Sequence, residues 1–480
     1  MKASKLAVVV TISAFWFGVP KAAEPAGGDP GGDALATAGS FDGFFYSSRT
    51  FGDATAPALR GTLSVKVTDV ARGKLTAHAL LQDGPLNFNG TAWEAAETNG
   101  TRRITLSGRG SAKATLTLYV REQRIWGSLE GGKLGESLLL DGARNVFAER
   151  SATNAAQAQA ALDTYRGYYT VALPQASALS LGNADAAPQG VGYLTLTVGA
   201  GGGVKVAGQL ADGTSMTMSS RLMLFTATTT TNIVVDTTNT TETVTTQEAC
   251  IPVFTALNAK RGWFGALLWL RAGEARVVAT DRDLGWYARW ENPGSRSQGK
   301  SNNGKSGADG FEMLLDACGG YYSPVSALAS NYLFSAAEPT GVRYYSGNGA
   351  GDYVAEALPS GIVVTAASGM LKIAFGANPP LVNGAYDYSV TNAAQATIVS
   401  SARTGLFKGM FNIYYDYERN GKQVHTKSRV PYAGVLTPVR GELFAELPAG
   451  MGFYLVPDTD PALKAYHIKR SFPVALEAAQ

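Results

Sequence analysis

Apolar and polar residues alternate with a period of two along most of this chain, in short runs broken by glycine. In Tyr193–Val198, Leu194, Leu196 and Val198 fall on one face and Tyr193, Thr195 and Thr197 on the other, the pattern of an antiparallel strand with one face in a core. Thr115–Val120 repeats it, and Val204, Val206 and Leu210 resume it after the Gly199–Gly203 turn. Two-residue turn signals separate such runs: Asp83-Gly84, Asn89-Gly90, Asn99-Gly100, Asp141-Gly142, Asp212-Gly213 and Asn420-Gly421. Only Ser151–Asp163, rich in Ala and free of Gly and Pro, reads as helix or linker. The pattern predicts an all-β protein of antiparallel hairpins.

The strands recur in order, and the stretch Arg166–Gly213 is the template. Asp42-Gly43-Phe44-Phe45, Gly61–Val67 and Leu81–Gly84 echo Arg166–Tyr169, Gly192–Val198 and Leu210–Gly213; Gly319-Gly320-Tyr321-Tyr322 starts a third echo. Each copy carries a later strand with an aromatic beside a glycine: Trp126-Gly127, Phe264-Gly265, and Phe407-Lys408-Gly409. The expectation is three tandem β-sandwich or partly closed β-barrel units: 41–150, 164–292 with a Thr-rich hairpin at 226–246, and 311–457. Between them lie the Ala-rich 151–163 and a polar linker or loop, 293–310; 458–480 reads as a C-terminal tail.

The first 23 residues change the picture of where the chain works. Lys2 and Lys5 precede an apolar run, Leu6–Val19, too short to span a bilayer comfortably, so 1–23 reads as a signal peptide followed by a flexible linker, 24–40. Export is expected, to the cell surface or the extracellular medium. Loss of Lys2, Lys5 and Lys21 brings Lys+Arg from 41 to 38, equal to the 38 Asp+Glu. A neutral chain has no field to gather nucleic acid or anionic lipid. No membrane span is expected after signal removal, and outward strand faces that carry Thr, Lys and Asp argue against an outer-membrane barrel.

The ordered motifs, together with Thr404–Gly409 (TGLFKG) and Val430–Leu436 (VPYAGVL), resemble the β-rich repeat units of large exported or cell-surface proteins of bacteria. The resemblance implies an exported surface protein and brings no catalytic residue.

Chemistry is sparse. The three His, His78, His425 and His467, have no spaced partner, and neither G-x-S-x-G nor H-E-x-x-H occurs. Asp281/Asp283 and Asp458/Asp460 read as solvated turns, and Gly347–Gly351 as a flexible loop. No catalytic residue, metal site or cofactor is expected. Cys250 and Cys318 are the only cysteines, and in an oxidising compartment an even pair favours a disulfide across the polar linker. The sharpest binding candidate is aromatic: Trp286, Tyr287 and Trp290, with Arg289, cluster around Trp263 and Trp269 as a set that can stack on a sugar ring, although Trp and Tyr at such spacing are usually core or rim packing in a β domain.

The sequence therefore predicts a non-catalytic structural or adhesive protein of the cell surface, whose partner is an envelope component, a polysaccharide or further copies of itself. A carbohydrate-binding module protein is the second reading and a secreted glycosidase the third.

Overall fold

The computed structural model describes residues 11–12, 38–51, 54–94, 100–108, 113–121, 123–132, 135–149, 152–182, 187–235, 238–272, 276–281, 284–294, 310–323, 340–345, 353–356, 363–367, 370–374, 381–383, 385–386, 397–401, 403–437, 450–457 and 469–478. Among the described residues the protein is all-β with one α-helix, and its sheets are antiparallel.

Unit one is a meander of eight strands: β1 (Gly39–Phe51), β2 (Ala54–Asp69), β3 (Lys74–Leu81), β4 (Gly84–Gly90), β5 (Arg102–Ser107), β6 (Ala114–Arg121), β7 (Arg124–Gly131) and β8 (Leu138–Arg144). They lie in the order β4-β3-β2-β1-β8-β7-β6-β5. Pairing of β1 with β8, from Phe41↔Arg144 to Tyr46↔Leu139, joins first strand to last and curls the sheet into a nearly closed barrel. The seam lies between β4 and β5, where Gly90 leaves room for Ile104: a Cβ there would sit 2.5 Å from its Cδ1. The period-two pattern fills the barrel. Leu75, Ala77, Ala79 and Leu81 of β3 and Ala114, Leu116, Leu118 and Val120 of β6 point inward with Phe41, Phe45 and Phe88. Eight strands enclose just enough space for such side chains.

Helix α1 (Ala152–Tyr165) follows, where the Ala-rich stretch is. Its Ala158, Ala161 and Tyr165 pack into the core of unit two.

Unit two begins with β9 (Gly167–Leu173), β10 (Gln175–Gly182), β11 (Gly192–Val198), β12 (Gly203–Gln209) and β13 (Ser215–Arg221). A long hairpin, β14 (Met223–Val235) and β15 (Thr238–Leu257), includes the Thr-rich segment. β16 (Gly262–Arg271), β17 (Val277–Ala279), β18 (Ala288–Asn292), β19 (Phe311–Leu315) and β20 (Cys318–Tyr321) complete it. The path runs β14-β15-β16-β17-β20-β9-β11-β12-β13 and bends back on itself, bringing Ser220 of β13 to donate its hydroxyl to the Pro252 carbonyl of β15.

Two expected boundaries move. β19 and β20, assigned from sequence to the start of unit three, hydrogen-bond inside unit two: β20 pairs with β9 (Tyr169↔Tyr321, Ala172↔Cys318) and β19 with β10 and β18. Gly319–Tyr322 thus closes the second sheet, as β8 closes the first, rather than opening a third copy. The residues after 457 are not simply a tail either. Unit three orders β21 (Thr340–Tyr345), β22 (Tyr353–Glu356), β23 (Val363–Ala367), β24 (Met370–Ala374), β25 (Thr397–Ser401), β26 (Leu406–Arg419), β27 (Lys422–Leu436), β28 (Gly450–Pro457) and β29 (Lys469–Ala478) as β22-β21-β29-β28-β27-β26-β25-β24-β23. β29 sits between β21 and β28, where Phe472 faces Tyr454 in register.

The units are joined by buried seams. Phe44, Tyr46, Ala58 and Leu59 of unit one form one apolar cluster with Phe225, Cys250, Phe254, Trp263, Leu267 and Trp286 of unit two. Ala172 and Cys318 of unit two cluster with Val435 and Met451 of unit three. Thr170 donates its hydroxyl to the Leu436 carbonyl at 2.7 Å, and the Val191 N–H donates to the Gly452 carbonyl at 3.1 Å. One register row on the outer wall of unit two, Met223–Cys250–Trp269–Ala279–Cys318–Ala172–Tyr193, touches both seams.

That row corrects the disulfide. Cys250 and Cys318 are both buried and not bonded. Three strand-to-strand steps separate them, about 14 Å in all, whereas a disulfide needs Cα atoms within about 7 Å.

Candidate functional site

The aromatic set sits where unit one docks on unit two, and a β-bulge starts it. Between Phe45↔Gly61 and Tyr46↔Leu59 the β1–β2 register slips by one, leaving Arg60 as the extra residue. Bulges re-aim side chains, and this one turns Leu59 and Arg60 onto β16. The Arg60 guanidinium lies 4.5 Å from the Trp263 ring centroid and ion-pairs with Glu136 at 2.9 Å. The Leu59 carbonyl reaches Gly265 so closely that a Cβ there would lie 2.4 Å from its oxygen. The glycines of the matching strands in units one and three make the same close approach within their own sheets, Gly127 to the Thr117 carbonyl and Gly409 to that of Thr397.

Strand β18, between β16 and β19, carries Arg289 and Trp290, and Trp286 and Tyr287 lie just before it. Trp290 points into the core of unit two, edge-on to Phe311 at 4.8 Å, and is 1% exposed. Arg289 is fully buried; it donates from Nη2 to the Ala56 carbonyl of unit one at 2.9 Å and from Nη1 to Glu312 at 3.4 Å. Trp286 packs edge-on against Phe44 at 5.8 Å and Tyr46 at 5.3 Å, and Tyr287 half-covers Ala56 and Leu314. Trp290 lies in the core of unit two while Trp286 and Tyr287 lie at the seam; protein covers both indoles, and Tyr287 is half-buried. Their placement is that of seam and core packing, and it presents no open indole face to a sugar.

Polar groups at this seam are also engaged. Asp141 accepts from Arg124 at 2.8 and 3.1 Å and from the Gly142 N–H at 2.8 Å. Asp42 accepts from Asn145 at 2.7 Å and lies 3.9 Å from Arg221 of unit two; burial pushes its pKa up to about 6 against the opposing pull of Arg221 and Asn145. Burial and the Asp141 charge raise the Tyr46 phenol. Burial, with the charges of Asp141 and Glu248 behind it, raises the Cys250 thiol well above its usual range, so it is inert as a nucleophile. A further contact comes from the β15–β16 turn, where Asn258, Ala259 and Lys260 take three successive positive φ values of 49°, 54° and 71°. The turn is tied to unit one: Lys260 donates to the Asp83 carbonyl at 3.0 Å, and Gln82 donates to the Lys260 carbonyl at 3.2 Å.

The other candidates scatter. His78 is exposed on β3 beside Asn87, 3.1 Å from Nδ1 to Oδ1. Asp281 caps a turn by accepting from the Leu284 N–H. Asp283, Gly347–Gly351, Asp458, Asp460 and His467 lie outside the described residues, as do the linker core 295–309 and all of 1–23 except Thr11–Ile12. Among the described residues, no group of three or more His, Cys, Asp or Glu could hold a metal ion, and no helix is long and apolar enough to cross a membrane. The sequence reading missed the bulge at Arg60 and the docking role of Gly265; the shared aromatic-glycine motif was the available signal for the latter.

No protein-family model matches the chain, and no curated protein matches it.

Proposed function

We propose that the chain is an exported structural or adhesive component of the cell surface, acting without catalysis. The observation that carries this reading is the seam chemistry: charged and aromatic side chains gather where β units meet, and the groups gathered there bind one another. Arg289, Arg60, Glu136 and Trp263 join unit one to unit two, and Thr170 joins unit two to unit three. Units fused through buried faces suit a stiff spacer that transmits load or presents an outer surface, whereas units on flexible linkers move independently.

Fractionation of the native host tests the reading. The protein should fractionate with the envelope, or sediment as a self-assembled species, and the mature N-terminus should begin after the Ala22–Ala23 region. Recovery as a cytoplasmic protein with an intact Met1–Val19 would overturn it.

A further inference from the structure

We infer that the outer face of β5–β6–β7 in unit one is a binding surface for an uncharged polysaccharide, with Tyr119 and Trp126 as its platform. The inference rests on the adhesive reading for its biological place and names the chemistry of the partner.

Three side chains line up in register across this face, outside the barrel, Arg103↔Tyr119↔Trp126, and the row continues to the buried Asp141 of β8 at the seam. The Tyr119 and Trp126 rings are parallel within 8°, their centroids 5.7 Å apart, an offset stack. The Arg103 guanidinium carbon lies 5.7 Å from the Tyr119 ring centroid. Both aromatic residues are partly exposed. Unit two docks on β1, β2 and β8 instead, so this part of the sheet lies away from the seam.

The polar tips set this pair apart from four of the other indoles. Trp93 donates its N–H to the Val70 carbonyl and Trp263 donates to Glu291, while Trp269 and Trp290 have their N–H groups buried. Among the described residues, neither the Trp126 N–H nor the Tyr119 hydroxyl has a hydrogen-bond partner. An apolar ring with a free polar tip matches a sugar, which offers C–H faces and hydroxyl edges together.

The next row supplies further hydroxyls. Thr105↔Thr117↔Ser128 runs parallel to the aromatic row, two residues along each strand and so about 7 Å away. Thr105 is exposed and already donates to Glu94 at 2.7 Å.

Charge decides between a neutral and an anionic polymer. Arg103 is paired with Glu94 at 3.4 Å, and Arg124 with Asp141 at 2.8 Å. These two cations each carry a carboxylate, which offsets their pull on a polyanion. The paired groups instead offer donors and acceptors side by side, as neutral hydroxyls require.

Affinity electrophoresis of the full chain in gels containing laminarin, xylan, galactomannan or hydroxyethylcellulose tests this, with alginate and chondroitin sulfate as polyanionic probes. At least one neutral polymer should retard the protein, and Trp126→Ala and Tyr119→Ala should each weaken that retardation about tenfold. Trp126→Phe, which keeps a ring and loses the N–H, should fall between. Thermal unfolding of each variant controls for the fold, which should survive a change on an outer face. No retardation by any neutral polymer, retardation unchanged in Trp126→Ala, or salt-sensitive binding to the polyanions alone overturns the inference. Envelope association of the parent chain is scored separately, so loss of glycan binding with that association intact rejects the platform and leaves the structural reading standing.

Discussion

Arg289 of unit two donates from Nη2 to the backbone carbonyl of Ala56 in unit one, 2.9 Å away and out of contact with water. The residues are 233 positions apart, and the bond fastens a strand-borne cation of one barrel to the backbone of another. Removing one member of a buried polar pair strands the other, which is where its cost arises. Arg289→Ala should lower stability by about 3 kcal/mol, because the Ala56 carbonyl and Glu312 lose a charged donor. Arg289→Met, which refills the volume, should recover part of the loss. Urea unfolding measures both; an unchanged midpoint in Arg289→Ala would remove this contact from the account of the seam.

Gly265 sets how closely the barrels approach. A Cβ there meets the Leu59 carbonyl oxygen at 2.4 Å, and backbone cannot step aside as a flexible side chain can. Gly265→Val should separate unit one from unit two while leaving both barrels folded. Limited proteolysis should then cut the α1 region faster, and small-angle scattering should report a longer molecule. A variant with parental cleavage and scattering would show that the seam yields.

Asp42 gives stability a pH dependence of unusual sign for a carboxylate. Its pKa rises from 3.8 to about 6 on folding, so between these values the folded state binds more protons than the unfolded one. Stability is therefore full below pH ~4 and falls as pH rises through ~6, by up to about 3 kcal/mol. Asp42→Asn keeps an acceptor for Asn145 and removes the titration. Urea midpoints at pH 4.5 and pH 7.5, conditions chosen to bracket about 6, should converge in that variant. Parallel pH profiles in parent and variant would refute the assignment.

The Asn258–Lys260 turn holds three non-glycine residues in the left-handed region, each costing about 1 kcal/mol or more. Ala259→Gly should stabilise the chain by about 1 kcal/mol, seen as a higher melting temperature. Equal or lower melting would mean that the bonds to Asp83 and Gln82 already remove the strain.

What could be read from sequence was whatever has a short period. The alternation in Thr115–Val120 and Tyr193–Val198 set strands and faces, and Ser151–Asp163 marked the helix; Asp83-Gly84, Asp212-Gly213 and Asn420-Gly421 set turns, but Asn89-Gly90 and Asp141-Gly142, expected as turns on the same signal, are paired inside strands β4 and β8. Closure could not be read, because it depends on which distant strands meet. The Gly319–Tyr322 echo resembled a first strand and serves as a last one, since a strand that opens a barrel and one that closes it occupy neighbouring places in the sheet. Trp290 and Trp126 show the same limit at the site: each is a tryptophan on an alternating strand, and only the far side of the fold makes one core and the other surface. The Cys250–Cys318 distance depends on strand order in the same way.

The outer row of unit two from Met223 to Tyr193 has a consequence in time. Its Met223, Cys250 and Trp269 meet partners that precede them in the chain, since unit one is made first. Ala279, Cys318 and Ala172 meet Val435 and Met451, which are made last. During synthesis, then, the middle barrel closes with one flank already sheltered and the other still wet, and it keeps that bare flank until nearly the whole chain has emerged. A chain halted before residue 430 carries a finished barrel with an unfinished outside, and such an intermediate needs a chaperone or a fast finish to avoid sticking to its neighbours.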